Sequence, residues 1–280
     1  MQLKKFPIVY SIVAILVVYL VNKIPLSDAF QYYGLKDKAA NTIEDIVFNG
    51  SLVCGIYYLM KLQNIALPFR NFTPNTAAYY IPIVIYLFVF SGGLNNLDLS
   101  FVTATHSSPL ILLLFDTLSS AFLEEMLFRA LILGLLISKY HTDKNGIFKS
   151  VMISSLMFGF LHVLNLWTNP DASLRGVLNQ IYAATCFGFM YSSIYLKTKN
   201  ILPLSIAHFL SNFFASINTL SMTGVIESPS RLETSMAITI LTEIIRLIIF
   251  GLPLLIGLII LTRVTTEDIK EFLAKRNSKI

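Results

Sequence analysis

The stretch FLEEMLFRAL, residues 122–131, sets Glu124, Glu125 and Arg129 inside one of the most apolar parts of the chain. Two other apolar stretches carry groups able to do chemistry: FGFLH ends on His162, and SIAHFLSNFFAS holds His208 and Asn212. A carboxylate and an imidazole can position a water and take its proton, while a second imidazole and an amide can donate to a developing oxyanion. Hydrolysis of a peptide bond would use every one of these groups.

Helical spacing sorts them. Thr117, Ser120 and Glu124 fall at offsets of three and four, which makes one continuous polar face. Glu125 is turned about 100° from that face. Arg129 follows Glu125 by four residues, the orientation that favours an ion pair within one helix. A guanidinium does not shed its proton, so Arg129 needs an anion, and Glu125 is the nearest. Glu124 is left without a partner in its own helix, free to take a proton from water. A buried structural pair is the better reading of Glu125 and Arg129, and His162 alone can serve simply to hydrogen-bond a neighbouring helix. Ser205, His208, Asn212 and Ser216 form a second polar face, which cannot meet lipid without leaving polar groups unsatisfied. Counting depth along the helices allows the three histidine- and glutamate-bearing segments to converge, and a cavity opening toward the cytoplasm is the simplest arrangement.

Absent patterns narrow the chemistry. No HExxH pair for zinc and no Gly-x-Ser-x-Gly elbow occurs, and Asp116 is the only aspartate in its apolar segment. Glu124, His162 and His208 number as many ligands as catalytic zinc takes, but each lies on a different helix with no closely spaced pair. No cofactor is expected, and a metal is disfavoured.

The elements that position these groups are membrane helices. Hydrophobic residues make up 55% of the 280 residues and charged residues 13%, about half the share usual in soluble domains. Several apolar runs reach the roughly 18 residues that a helix needs to cross a bilayer. The expected spans are 6–22, 43–63, 77–96, 109–138, 148–167, 176–196, 201–222 and 236–262: an all-α, polytopic bundle of about eight helices forming one domain over 1–262. Of the lysines and arginines, fourteen fall at the side of the N-terminus and five at the other, with Arg129 and Arg246 inside spans. That bias places both termini in the cytoplasm. It also accounts for the net charge of +5 without any nucleic-acid partner. Residues 263–280 form a basic cytoplasmic tail, whose segment TTEDIKEFLAKRNSK has the pattern of a capped amphipathic helix lying in solvent or along a surface. Cys54 and Cys186 suggest no pairing.

Together the three motifs, E-E-x-x-x-R at 124–129, F-x-x-x-H at 158–162 and H-x-x-x-N at 208–212, resemble those of the CAAX protease and bacteriocin-processing (CPBP, or Abi) family. The resemblance spans about residues 105–222. It implies an intramembrane endopeptidase of the glutamate type, similar to the Ras-converting CAAX endopeptidase. By that resemblance Glu124 and His162 act on the water, His208 and Asn212 form the oxyanion hole, and Glu125 and Arg129 support them. The implied partners are the lipid bilayer of the cell membrane and a membrane-anchored peptide or protein substrate. The competing expectation is a non-enzymatic membrane protein, a bacteriocin self-immunity scaffold or a transporter, whose polar faces bind an ion or a partner.

Overall fold

The computed structural model describes residues 3–34, 37–65, 69, 73–89, 107–170, 172–222 and 236–274. Among them the chain is helical throughout, with a single isolated bridge between Phe69 and Asn200. The helices are α1 (Pro7–Val21), α2 (Ser27–Tyr32), α3 (Asp37–Leu62), α4 (Pro74–Ala77), α5 (Ile81–Val89) and α6 (Ser107–Glu125). A π-helical segment, Met126–Ile132, joins α6 to α7 (Leu133–Tyr140). There follow α8 (Lys144–Leu161), a 3-10 turn (His162–Leu164), α9 (Asn165–Thr168), α10 (Leu174–Thr198), α11 (Leu202–Met222), α12 (Met236–Thr262) and α13 (Thr266–Leu273). Residues 90–96 of the third expected span, and the tail beyond 274, lie outside the described residues.

Local signals set the ends of these helices. Asp143 caps α8 by accepting from the Gly146 amide, and Ser173 caps α10 through the Gly176 amide. Lys199, in the left-handed region at φ 56°, closes α10. Within the helices, hydroxyls bond back to the carbonyl four residues earlier, as Ser150 does to Gly146 and Ser193 to Phe189. That leaves them satisfied in surroundings that offer no water.

The long helix α10 is the centre of the bundle, with α8 on one side and α12 on the other. Small residues let them approach. A Cβ on Gly257 would lie 2.8 Å from the Met190 Cα, and one on Gly188 would lie 3.3 Å from the Ser155 Cα. Helix α6 packs between α3 and α11, and the π segment behind it is buried at every residue. A π turn shifts the backbone register and leaves a carbonyl short of its usual partner. Here the Phe128 carbonyl accepts the Leu133 amide across the wider turn, and the Ser154 hydroxyl on α8 also donates to it at 2.9 Å, which ties the segment to a neighbouring helix.

Three helical stretches are long and apolar enough to cross a membrane: Ala39–Leu62, Lys144–Thr168 and Ile240–Thr262. The other expected spans are helical where described but do not pass on apolarity or length. Helix α1 is short, while α6, α10 and α11 carry the polar residues they bury in the bundle. Outside, half-exposed Val9, Ile12 and Leu16 on α1, and Ile240, Ile244 and Ile248 on α12, present continuous apolar faces. Such faces have no place in water and suit acyl chains. The protein is a membrane protein.

The C-terminal segment forms the expected helix, with a capping box between Thr265 and Asp268. It is docked rather than free. Ile269 and Phe272 are buried, Phe272 meets Tyr195 edge-on, and Asp268 bonds both Lys197 (2.7 Å) and Lys199 (3.0 Å) at the end of α10.

Candidate active site

Glu125 ends α6 at the point where the helix widens, and it is fully buried. Its two oxygens face different partners. Oε1 accepts from His208 Nδ1 at 2.9 Å, and Oε2 lies 3.2 Å from Arg129 Nε. The second contact is an ion pair without an aligned hydrogen bond: Glu125 Oε2, Arg129 Nε and Arg129 Nη1 all lack hydrogen-bond partners. The guanidinium is instead held between rings, with Cζ 4.2 Å from the centroid of Phe158 and 5.6 Å from that of Tyr191. The pairing of Glu125 with Arg129 read from their spacing is present. Its coupling to His208 was not foreseen, because the contact joins residues 83 positions apart.

The histidines are held in different ways. His162 begins the 3-10 turn after α8, and its Nδ1 faces the Phe158 carbonyl at 3.2 Å. A carbonyl only accepts, so Nδ1 carries the proton and Nε2 presents a lone pair. His208 gives its Nδ1 to a carboxylate, and its Nε2 stands 3.6 Å from Glu124 Oε2. The Phe158 ring is edge-on to both imidazoles, at 5.4 Å from His162 and 5.9 Å from His208, and spaces them apart.

Two cavities meet at these residues. One, of about 550 Å³, is lined by Glu124, His162, His208 and Asn212, and also by Thr117, Ser120 and Ser216. The four residues expected to act on a peptide bond thus share one wall. Ser205, the first member of the α11 polar face, does not line it; that residue is buried with its hydroxyl unpaired. The second cavity, of about 300 Å³, shares His162, His208 and Asn212 but is otherwise framed by rings, including Phe158, Phe187, Tyr191 and Phe250.

Two groups of lining residues escaped the sequence reading. Gln180 on α10 lines both cavities and accepts from the Asn165 amide at 2.8 Å. Asp45, Asn49 and Asp116 extend the larger cavity toward Asn22, and Asn49 reaches Ser119 at 3.1 Å. Asp45 and Asn49 are four apart, as are Asp116 and Ser120, but that these faces meet depends on how α3, α6 and α10 pack together.

The direction of opening differs from expectation. Asn22 follows the end of α1, Asn165 follows the end of α8, and Gln180 lies near the start of α10. The larger cavity therefore lies toward the end of the bundle opposite the Tyr140–Lys144 turn and Lys197. On the topology that the charge bias implies, this is the outer side and not the cytoplasmic one.

As to metal, no group of three or more His, Cys, Asp and Glu side chains among the described residues is arranged to hold an ion. Glu124, His162 and His208 share a cavity without forming a ligand cluster.

Residues 106–214 match the family model described as "Type II CAAX prenyl endopeptidase Rce1-like". The match covers all three motifs and supports the resemblance to the CPBP/CAAX protease family. It is a family of proteases, which supports an enzymatic, proteolytic role for the chain. No curated protein and no solved structure matches the chain.

Proposed function

We propose that the chain is a multi-pass intramembrane endopeptidase of the cell membrane, spanning about eight times with both termini cytoplasmic. It hydrolyses a peptide bond in a membrane-anchored protein or peptide, either of the prenylated CAAX kind or one undergoing maturation. Glu124 takes a proton from a water that His162 Nε2 holds by its lone pair. The water oxygen attacks the scissile carbonyl, and the negative charge that develops on the carbonyl oxygen is met by Asn212 Nδ2 and His208 Nε2. Glu125 fixes His208 through Nδ1, and the imidazolium form donates from Nε2 to the developing oxyanion. Glu124 then returns its proton to the leaving amine, and the chain splits. Binding of substrate displaces the resting contact between Glu124 and His208. No metal takes part in this reading.

The observation that carries it is the single cavity of about 550 Å³ walled by Glu124, His162, His208 and Asn212, drawn from three helices. The test is cleavage of membrane-anchored peptides, prenylated and not, by purified protein in lipid nanodiscs, with products identified by mass. Glu124→Gln should stay folded and lose turnover, and treatment with a zinc chelator should leave the wild-type rate unchanged. Cleavage by Glu124→Gln at the wild-type rate removes the proposed base. Bound stoichiometric zinc, with activity lost on its removal and restored on its return, removes the metal-free mechanism.

A further inference from the structure

The two cavities share a wall made of His162, Gln180, His208, Asn212 and Ala215. The proposed chemistry uses the two histidines and the asparagine and leaves Gln180 without a task. Gln180 stands near the start of α10, on a stripe with Ala184, Phe187 and Tyr191 that walls the smaller cavity. Their offsets of four, three and four put them on one helical face. Ala183 and Ala184 add little bulk beside it, so a main chain can come close to the helix there.

The partner of Gln180 comes from the segment that carries His162. That histidine opens a 3-10 turn running to Leu164, and Asn165 follows. A 3-10 helix repeats every three residues, so Asn165 stands on the same edge as His162, one turn further on. The Asn165 amide donates to Gln180 Oε1 at 2.8 Å and bridges α9 to α10. A primary amide has a donor end and an acceptor end, and the bridge uses one end of each residue. Asn165 Oδ1 and Gln180 Nε2 are left, an acceptor and a donor, and neither side chain makes another hydrogen bond among the described residues. Turning both amides over exchanges the ends and leaves the same complement. As a staple the bridge holds little, because it is exposed and water competes for both amides. As a surface for a peptide it is well matched. In an extended chain the N–H and C=O of one residue point the same way, and a facing acceptor and donor take both, as a neighbouring strand does.

We infer that Asn165 and Gln180 form a main-chain recognition pair, holding one substrate residue close to the scissile bond through its own N–H and C=O. This rests on the endopeptidase reading. Because the pair reads main chain alone, it fixes where an extended substrate crosses the shared wall without selecting a side chain at that residue.

The experiment uses the full-length protein and a membrane-anchored peptide that it cleaves. Each residue within two positions of the scissile bond is replaced in turn by its α-hydroxy acid, which exchanges N–H for oxygen; the residue supplying the leaving amine is kept. With the wild type, one replacement should lower kcat/KM about 10-fold, the worth of one to two neutral hydrogen bonds, and the others should change it little. Gln180→Met should lower kcat/KM for the unmodified peptide by a similar factor, through KM and with kcat kept. In Gln180→Met the sensitive replacement should cost nothing further. Three outcomes overturn the inference while leaving the protease reading intact: no sensitive position in the wild type, penalties that multiply in the variant, or a loss in Gln180→Met that falls on kcat alone. Absence of any cleavage by the wild type counts against the protease reading instead. In that event, equilibrium binding of the same peptides to Glu124→Gln decides the inference, with equal affinities overturning it.

Discussion

Replacing Glu125 with alanine should separate the structural and catalytic duties that this residue combines. Glu125 and Arg129 are buried to 0% and 1% exposure, with 3.2 Å between Oε2 and Nε. At an effective dielectric of about 20, unit charges at that distance attract by roughly 5 kcal/mol. Measured losses on breaking one side of a buried pair run to about 3–5 kcal/mol, since the remaining charge is stranded. Glu125→Ala should therefore lose about that much stability, read by denaturant titration in mixed micelles. It should also free His208 Nδ1, and misplacing one oxyanion donor costs on the order of 100- to 1,000-fold in turnover. Adding Arg129→Met removes the stranded charge and should return most of the lost stability, because replacing both partners of a buried pair by apolar groups is often neutral. Turnover should stay low, with His208 still unanchored. If the double variant is as unstable as the single one, the stranded charge is not what destabilises it. If Glu125→Ala turns over normally, Glu125 does not position His208.

Three further outcomes are expected. Asn212→Ala should slow hydrolysis about 100- to 1,000-fold with substrate affinity near wild type; collapse of affinity with normal turnover of bound substrate would make Asn212 a binding contact instead. Partial burial works to raise the Asp268 carboxyl, yet bonds from Lys197, the Thr265 amide, Lys199 and the Thr265 hydroxyl hold it down at about 2. The folded value lies below the ordinary 3.8, so this contribution to docking of α13 is full above that pH and fades as pH falls toward about 2. Hydrogen exchange of residues 266–273, corrected for intrinsic rates, should show protection lost over that window, and unchanged protection at pH 2 would refute the link. Reporter fusions after Asn200 and at the C-terminus should both report cytoplasm; an outer signal from the C-terminus would overturn the helix count and, with it, the side on which the cavity opens.

Much of the bundle was legible because a helical period of 3.6 sorts polar from apolar residues without knowledge of neighbours. The faces Thr117–Ser120–Glu124 and His208–Asn212–Ser216 line one cavity as their spacing required. What periodicity cannot carry is the geometry at helix ends and breaks. The π segment has no spacing of its own in the sequence, and Ser154, which ties its Phe128 carbonyl to α8, lies 26 residues away. The end of α8 at Leu161 puts His162 in the 3-10 turn that follows, which a count of rise along one helix does not show. Docking of α13 was equally hidden, since the Lys197 and Lys199 that hold Asp268 are about 70 residues upstream of it.

The adjacent glutamates show why two identical side chains in sequence are not equivalent in function. One residue of offset turns Glu125 into the bundle, where the π segment surrounds it and Arg129 and His208 take its two oxygens. The same offset leaves Glu124 on the wall of a polar cavity, about a quarter exposed. A carboxylate that must gain and lose a proton needs access to water, and one that must hold an imidazole in place needs to be denied it. The histidines repeat the division. His162 is tied through Nδ1 to a backbone carbonyl, and His208 through Nδ1 to a carboxylate. In the proposed mechanism the first holds the water and the second polarises the carbonyl that it attacks. The buried Glu125 that anchors His208 therefore decides, in that mechanism, which imidazole meets the oxyanion.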